Sequence, residues 1–376
     1  MALSLKKLSI ICQKYGMENL AGSDGLNKNV RWIHTVEDKD ILEFLRGGEL
    51  VFTTGIVLKN NGYFDFVHTA SALIDKKAAG WVINIGPYIK KIPDELIDFC
   101  NKNKFPLFTL PWKEKLVDIT YDLTHIIMEN DEKVSSLSKN FSNVIYRNGD
   151  LSRSIEDLER EGFMSNAIYK VLYIDPLLDK GLQTDYKLKI NSCLKHFILA
   201  DGDKAIVVVS SFNTYDIDDI ISQISSYYDD LGIKFRIGLS NEQKGIDYLD
   251  RLYKQAKIAC EYSHDYDMHI TEYKDTGLYQ VICNIEDENI LSNYSNLLLK
   301  DIKDYDAKNG TNYLEIIELY ILKDGSVNDV AQELNVHRNT INYRLKFIKD
   351  YFNINMSIES LSRIYLAIII DKVKGR

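Results

Sequence analysis

The stretch GSVNDVAQELNVHRNTINYRLKFIK, Gly325–Lys349, decides how this chain is read. Ser326 is placed to cap a helix over Val327–Leu334, with Asp329 three residues on, as in a capping box. Val330, Ala331 and Leu334 give that short helix one apolar face. A tight turn at Asn335–His337 follows, with Val336 set to plug the space between two helices. The second helix is expected from Arg338 to Tyr351. Its Ile341, Leu345, Ile348 and Phe352 recur at four, three and four residues and therefore share a buried face. At about 100° per residue, the opposite face presents Asn339, Asn342, Tyr343 and Lys346, with Arg338, Thr340, Arg344 and Lys349 on its flanks.

A packed back and a hydrogen-bonding front are what the major groove of double-stranded DNA accepts. Asn pairs bidentately with adenine, Arg with guanine, and Lys with phosphate. Base contacts come from the N-terminal part of such a helix, which selects Arg338, Asn339 and Asn342 as base readers. Thr340, Arg344, Lys346 and Lys349 suit backbone contacts, with Tyr343 beside them. The competing reading is an ordinary amphipathic pair whose polar face meets water, with Arg344 bonded inside the module and His337 merely starting the helix.

Bulk charge seems opposed to DNA binding, because the net charge is −9. The average hides the distribution: Asn335–Lys349 carries His337, Arg338, Arg344, Lys346 and Lys349 and no acid, and only a small module needs to be basic. A 45% hydrophobic and 27% charged composition is ordinary for a soluble globular protein. The first residues lack the apolar core of a secretory signal, and the apolar run Tyr365–Ile370 is too short to span a bilayer. Five scattered cysteines without a CxxC pair argue against disulfides and metal. The expectation is a cytoplasmic chain with no cofactor and no membrane partner.

Pattern changes divide the chain. Residues 1–128 read as α/β, with strands at Glu49–Thr53 and Gly80–Ile85 and helices at Tyr63–Lys77, Asp94–Lys102 and Val117–Met128. Residues 129–162 read as a polar linker helix with a stripe of Val134, Leu137, Phe141, Val144 and Ile145. Residues 163–285 read as a second α/β unit, with strands at Ala167–Ile174, Ala205–Ser210, Lys234–Leu239 and His269–Glu272. Its helices are expected at Tyr186–Phe197, Ile217–Tyr228 and Gly245–Tyr262. That order fits a ferredoxin-like or cyclase-like sheet. Residues 286–376 are all helical and contain the helix-turn-helix at 326–350. The fold class is multidomain α/β plus all-α.

Here a resemblance becomes specific. LNVHRNTINYRL (Leu334–Leu345) resembles the signature of the PucR-type helix-turn-helix shared with sugar-diacid regulators, and YDAKNGTNYLEIIELYILKDGS (Tyr305–Ser326) resembles its lead-in helix. The helix around Ser357–Lys372 also fits. The N-terminal third resembles the PucR ligand-sensing domain through AGSDGLNKNVRWIHTVED (Ala21–Asp38), FLRGGELVFTTGIVL (Phe44–Leu58) and IPDELIDFCNKNKFPLFTLPW (Ile92–Trp112). The middle unit is similar to the family's degenerate cyclase-like domain, through Phe235–Ser263.

The resemblance implies a ligand-responsive transcription regulator, an activator of a purine or other nitrogen-compound catabolic operon. Its partners would be operator DNA, a small-molecule effector, RNA polymerase, and a second copy in a homodimer or higher homo-oligomer. In the sensor, Arg46, Glu49, Thr53, Thr54 and Gly55 form a candidate effector rim: glycine lets backbone approach a ligand, threonine offers a hydroxyl, and Arg46 or Glu49 orients a polar heterocycle. The competing reading gives the glycines to turns and pairs Arg46 with Glu49; Trp32 and His34 read as core. The second function class is a nucleotide-signalling enzyme on the middle domain, with Asp175 in a metal-ligand position. Against it, the hairpin Ala200-Asp201-Gly202-Asp203-Lys204 lacks the Gly-Gly-Asp-Glu-Phe motif of an active cyclase, so the domain reads as non-catalytic. A protein-binding adaptor is the third class.

Overall fold

The structure, a computed structural model, describes residues 3–37, 39–56, 65–178, 194–213 and 215–374. The chain divides into two compact units, one containing Met1–Glu161 and the other Gly162–Leu178 and Lys189–Arg376.

The first unit runs α1 (Leu5–Cys12), β1 (Glu18–Ala21), β2 (Trp32–Thr35), β3 (Glu49–Thr53), α2 (Phe66–Asp75), β4 (Gly80–Ile85), α3 (Asp94–Lys102), β5 (Leu107–Pro111), α4 (Leu116–Tyr146) and α5 (Leu151–Arg160). The strand order is β1-β5-β4-β3-β2. Strands β2 to β5 are parallel and β1 is antiparallel to β5. Every residue of β3 is buried, as a parallel strand covered on both faces must be. Alternation along it sorts the two cores: Val51 joins Ala70, Leu73, Trp81 and Leu96, whereas Leu50 and Phe52 join Leu5, Leu8, Ile119 and Leu123.

Helix α4 runs unbroken through residue 128, where the sequence pattern suggested that one helix ends and another begins; no Pro or Gly interrupts Leu116–Tyr146. The expected stripe of Val134, Leu137, Phe141, Val144 and Ile145 is buried. It ends at Arg147 in the left-handed region (φ 55°), and α5 folds back, with Asn143 Nδ2 donating to Ser154 Oγ at 3.0 Å.

The second unit begins with β6 (Ile168–Asp175), β7 (Lys195–Asp201), β8 (Lys204–Ser211), α6 (Tyr215–Asp230), β9 (Arg236–Leu239), β10 (Gln243–Lys244), α7 (Leu249–Asp265) and β11 (Ile270–Glu272). Its strand order is β11-β9-β6-β8-β7, with β10 pairing β6. Strand β6 is antiparallel to β8 and β9, and β11 is parallel to β9. The helix expected at Tyr186–Phe197 is corrected in part: Lys195–Phe197 belong to β7, and residues 186–193 lie outside the described residues. Gly238 is required by packing, because a Cβ there would sit 2.0 Å from the carbonyl oxygen of Ala256 in α7.

The chain then becomes helical: α8 (Tyr279–Ile282), α9 (Glu288–Asn309), α10 (Tyr313–Leu322), α11 (Val327–Glu333), α12 (Arg338–Tyr351) and α13 (Ile358–Lys374). Helix α13 serves two cores. Ile369 and Ile370 pack with Ile258 and Ala259 of α7. Ile364, Ala367 and Ile368 pack with Leu299, Ile302, Ile316 and Ile348 of α9, α10 and α12. Among the described residues, no helix is long and apolar enough to cross a membrane.

Candidate nucleic-acid interface

Local chemistry sets the helix pair. The Ser326 side chain accepts from the Asp329 amide at 3.3 Å and starts α11. Asn335 takes the left-handed conformation (φ 52°) that Asn tolerates better than most residues, turning the chain immediately after α11. His337 then caps α12, its Nδ1 accepting from the Asn339 amide at 3.2 Å. Val336 lies in the plug formed by Val330, Ala331 and Ile341, with Leu319 and Tyr320 of α10 around it.

The back of α12 is fixed by Ile341 and Ile348, both fully buried. Its front is open: Arg338, Asn339, Asn342, Tyr343, Lys346 and Lys349 are exposed, Tyr343 to 71%. Two predicted contacts, both expected on the flanks, are less open. Thr340 is half-buried, on the flank. Arg344 is half-buried and donates from Nη1 to Asn312 Oδ1 at 3.2 Å, and Asn312 in turn donates to Glu315 at 2.7 Å. This guanidinium braces α12 against the start of α10.

Sequence reading missed a second brace. Phe347 stacks on Tyr313 (5.0 Å between centroids, 18°) and on Tyr351 (5.0 Å, 12°), and Tyr305 closes the cluster edge-on to Tyr351. The i, i+4 spacing of Phe347 and Tyr351 is the only local trace of it. The start of α10 is capped by Asp306, whose carboxylate accepts from the amides of Tyr313 and Leu314, each at 3.0 Å.

The expected effector rim is not one place. Arg46 and Glu49 precede or open β3, while Thr53, Thr54 and Gly55 close it, about 13 Å further along at roughly 3.3 Å per residue. The Glu49 carboxylate is buried and accepts from the amides of Arg46 (2.7 Å) and Gly47 (2.9 Å). It holds the turn in which Gly47 and Gly48 take φ of 98° and 83°. Thr53 is also buried; its hydroxyl donates to the carbonyl of Val36 and accepts from Trp81 Nε1, both at 2.8 Å. At the carboxyl end, the amides of Thr54 and Gly55 donate to Glu37 at 2.8 and 3.1 Å. Trp32, expected in the core, is 60% exposed on edge strand β2. His34 is half-buried, with its Nε2 sealed from solvent.

In the second unit, Asp175 is engaged by His264 Nε2 at 2.8 Å and Lys204 Nζ at 3.4 Å. The expected hairpin is present, Asp201 pairing with Lys204 across Gly202. The Asp201 carboxylate accepts from the hydroxyls of Tyr173 (2.7 Å) and Tyr253 (3.0 Å). Asp175, the candidate metal-ligand position, is thus held by the protein's own side chains.

Comparison with known proteins matches the two ends separately. Residues 7–127 match the purine catabolism regulatory protein-like family, PucR, and residues 313–370 match the PucR C-terminal helix-turn-helix domain. The chain joins a PucR-family domain to a PucR helix-turn-helix. Among its relatives, the proline-responsive transcriptional activator PutR of Bacillus subtilis is 25% identical over 76% of this chain and 71% of its own length. The B. subtilis purine catabolism regulatory protein is 33% identical over 34% of this chain and 24% of its own. The B. subtilis DNA-binding transcriptional activator AdeR is 28% identical over 33% and 30% respectively. The PucR helix-turn-helix match begins at Tyr313, where α10 begins and one residue after Asn312, and so takes in the stacked Tyr313 as well as α11 and α12.

Proposed function

We propose that this chain is a ligand-responsive transcription regulator that reads double-stranded DNA with α12. One observation carries the reading: Arg338, Asn339, Asn342 and Lys346 stand exposed in front of a helix whose back, Ile341 and Ile348, is sealed in the core. Arg338, Asn339 and Asn342 take base edges, while Lys346 and Lys349 take phosphates, with Tyr343 between them. Arg344 is reassigned from the DNA to the fold.

The names of PutR and AdeR as activators support an activating role here, with RNA polymerase as the partner, on an operon for nitrogen-compound catabolism. A twofold operator calls for a homodimer, because one recognition helix spans only a few base pairs. The effector belongs to the PucR-family domain, at the Thr54–Gly55 end of the parallel strands, since open α/β sheets take ligands beyond the carboxyl ends of their strands. The antiparallel order β9-β6-β8-β7 supports a cyclase-like middle domain, which we read as non-catalytic because its own lysine and tyrosines hold Asp175 and Asp201. The compartment is the cytoplasm.

The test is the affinity of the purified chain for its own upstream region against random duplex across a salt series. A preference of about 10³-fold or more is expected, with both affinities falling as salt rises. Equal affinity for the two duplexes would end this reading.

A further inference from the structure

Helix starts elsewhere in the chain are capped by Ser4, Asp65, Asp150, Asp287 and Ser326, short oxygen acceptors of the kind such positions favour. The helix assigned to the groove, α12, is capped by His337 instead, and an imidazole ring has a second polar atom to offer. The Asn339 backbone N–H, 3.2 Å from Nδ1, can only donate. Nδ1 is therefore bare, and the ring proton lies on Nε2. The two nitrogens point in divergent directions from the ring, so the bond from Nδ1 to the helix leaves Nε2–H aimed away from it. His337 is exposed. Among the described residues, no protein group accepts from that Nε2–H.

We propose that Nε2–H of His337 donates to a backbone phosphate of the duplex, so that one ring ties that phosphate to the start of the reading helix. This contact rests on the DNA-binding reading above and adds to it a residue that seats the helix. His337 stands immediately before Arg338 and Asn339, at the helix end where the aligned peptide dipoles present positive charge. A ring that accepts at one nitrogen is polarised into a better donor at the other, so the Asn339 amide strengthens the bond to the phosphate. An aspartate cap here would set a negative charge against the duplex. A serine cap would satisfy the helix but reach no further. Base edges are met by residues inside the first turns of such a helix, whereas a contact from the cap meets the phosphate wall of the groove. Phosphate contacts fix register and carry no sequence information. His337 therefore sets affinity for any duplex, and Arg338, Asn339 and Asn342 set the preference among duplexes.

The experiment compares the full chain with His337→Ser and His337→Asn, on the upstream region and on random duplex across a salt series. Ser and Asn are both strong helix caps, so the melting temperature stays at the parent value in each. In His337→Ser both affinities fall together by about 10-fold or more, the loss of one hydrogen bond to a charged group. The preference for the upstream region is kept. The slope of log affinity against log salt is also kept, because a neutral donor displaces no counterion. His337→Asn, whose amide can cap with its oxygen and donate with its nitrogen, recovers most of the loss. Nitrogen spectra of the free chain, with His337 assigned by its disappearance in His337→Ser, show a bare Nδ1 and a protonated Nε2. A residue that only caps would be replaced by Ser without loss of affinity, and that result overturns the proposal. So does a fall confined to the upstream region, which marks a base contact, or a lowered salt slope, which marks a cation. A protonated Nδ1 overturns it whether or not the chain binds DNA. A parent chain that binds neither duplex overturns the DNA-binding reading as well, whereas a parent that binds beside an unaltered His337→Ser overturns this contact alone.

Discussion

Along α12 and along β3 the chain sets out polar residues at similar intervals, and backbone geometry treats the two sets in opposite ways. On α12, Asn339, Asn342, Tyr343 and Lys346 return to one side because a turn takes 3.6 residues, and buried Ile341 and Ile348 point that side outward. On β3, Glu49 and Thr53 are carried apart by an extended backbone, and each is consumed by its own neighbours. Closeness in sequence is therefore a good guide to a shared surface on a helix and a poor one across a strand. The contrast also separates two meanings of a polar residue: those on α12 are left available to a partner, whereas Glu49 and Thr53 satisfy backbone and indole groups that burial would otherwise strand.

The largest effect tests the open side of this contrast. Arg338→Ala combined with Asn342→Ala removes the two side chains proposed to read bases, worth about 1–3 kcal/mol each. Specific affinity should fall by about 30-fold to 10⁴-fold, with the melting temperature unchanged because both side chains are exposed. Fluorescence anisotropy on operator and random duplex measures it. Unchanged operator affinity would show that another face reads the DNA and would favour the adaptor class.

The closed side predicts the reverse pattern. Thr53→Val keeps shape but removes a hydroxyl that serves both the Val36 carbonyl and the Trp81 indole. A buried donor left without a partner costs about 1–3 kcal/mol. Denaturant unfolding should show that loss while operator affinity of the folded protein stays constant. A neutral Thr53→Val would mean that the indole finds another acceptor, and Thr53 would return to the list of effector contacts.

How much of this was legible follows from how local each cause is. The bounds of α12 were readable because its cap, turn and apolar spacing lie within 28 residues, Gly325–Phe352. Strands β1, β2 and β5 were not, since two are short edge strands with mixed patterns such as Trp32-Ile33-His34-Thr35. Only the first three residues of β7, Lys195–Phe197, read as helix, because Ile190, Leu194 and Phe197 fall at four and three residues, and the pairing that makes Phe197 a strand residue comes from β8. The inward turn of Arg344 depends on Asn312, 32 residues away.

The smallest effects sharpen the comparison within α12 itself, because Arg344, Lys346 and Lys349 share one expected role in the sequence, contact with the DNA backbone. If Lys346 and Lys349 each neutralise a phosphate, replacing either by Ala should lower the slope of log affinity against log salt by about 0.9 per site and leave stability within about 0.5 kcal/mol. Arg344→Ala should do the opposite: it forfeits the bond to Asn312, worth about 1 kcal/mol, and loosens the brace to α10 while the salt slope stays put. Salt titration and unfolding on the same three variants distinguish the roles. A reduced slope in Arg344→Ala would return that guanidinium to the proposed DNA-facing side, beside the exposed Lys346 and Lys349.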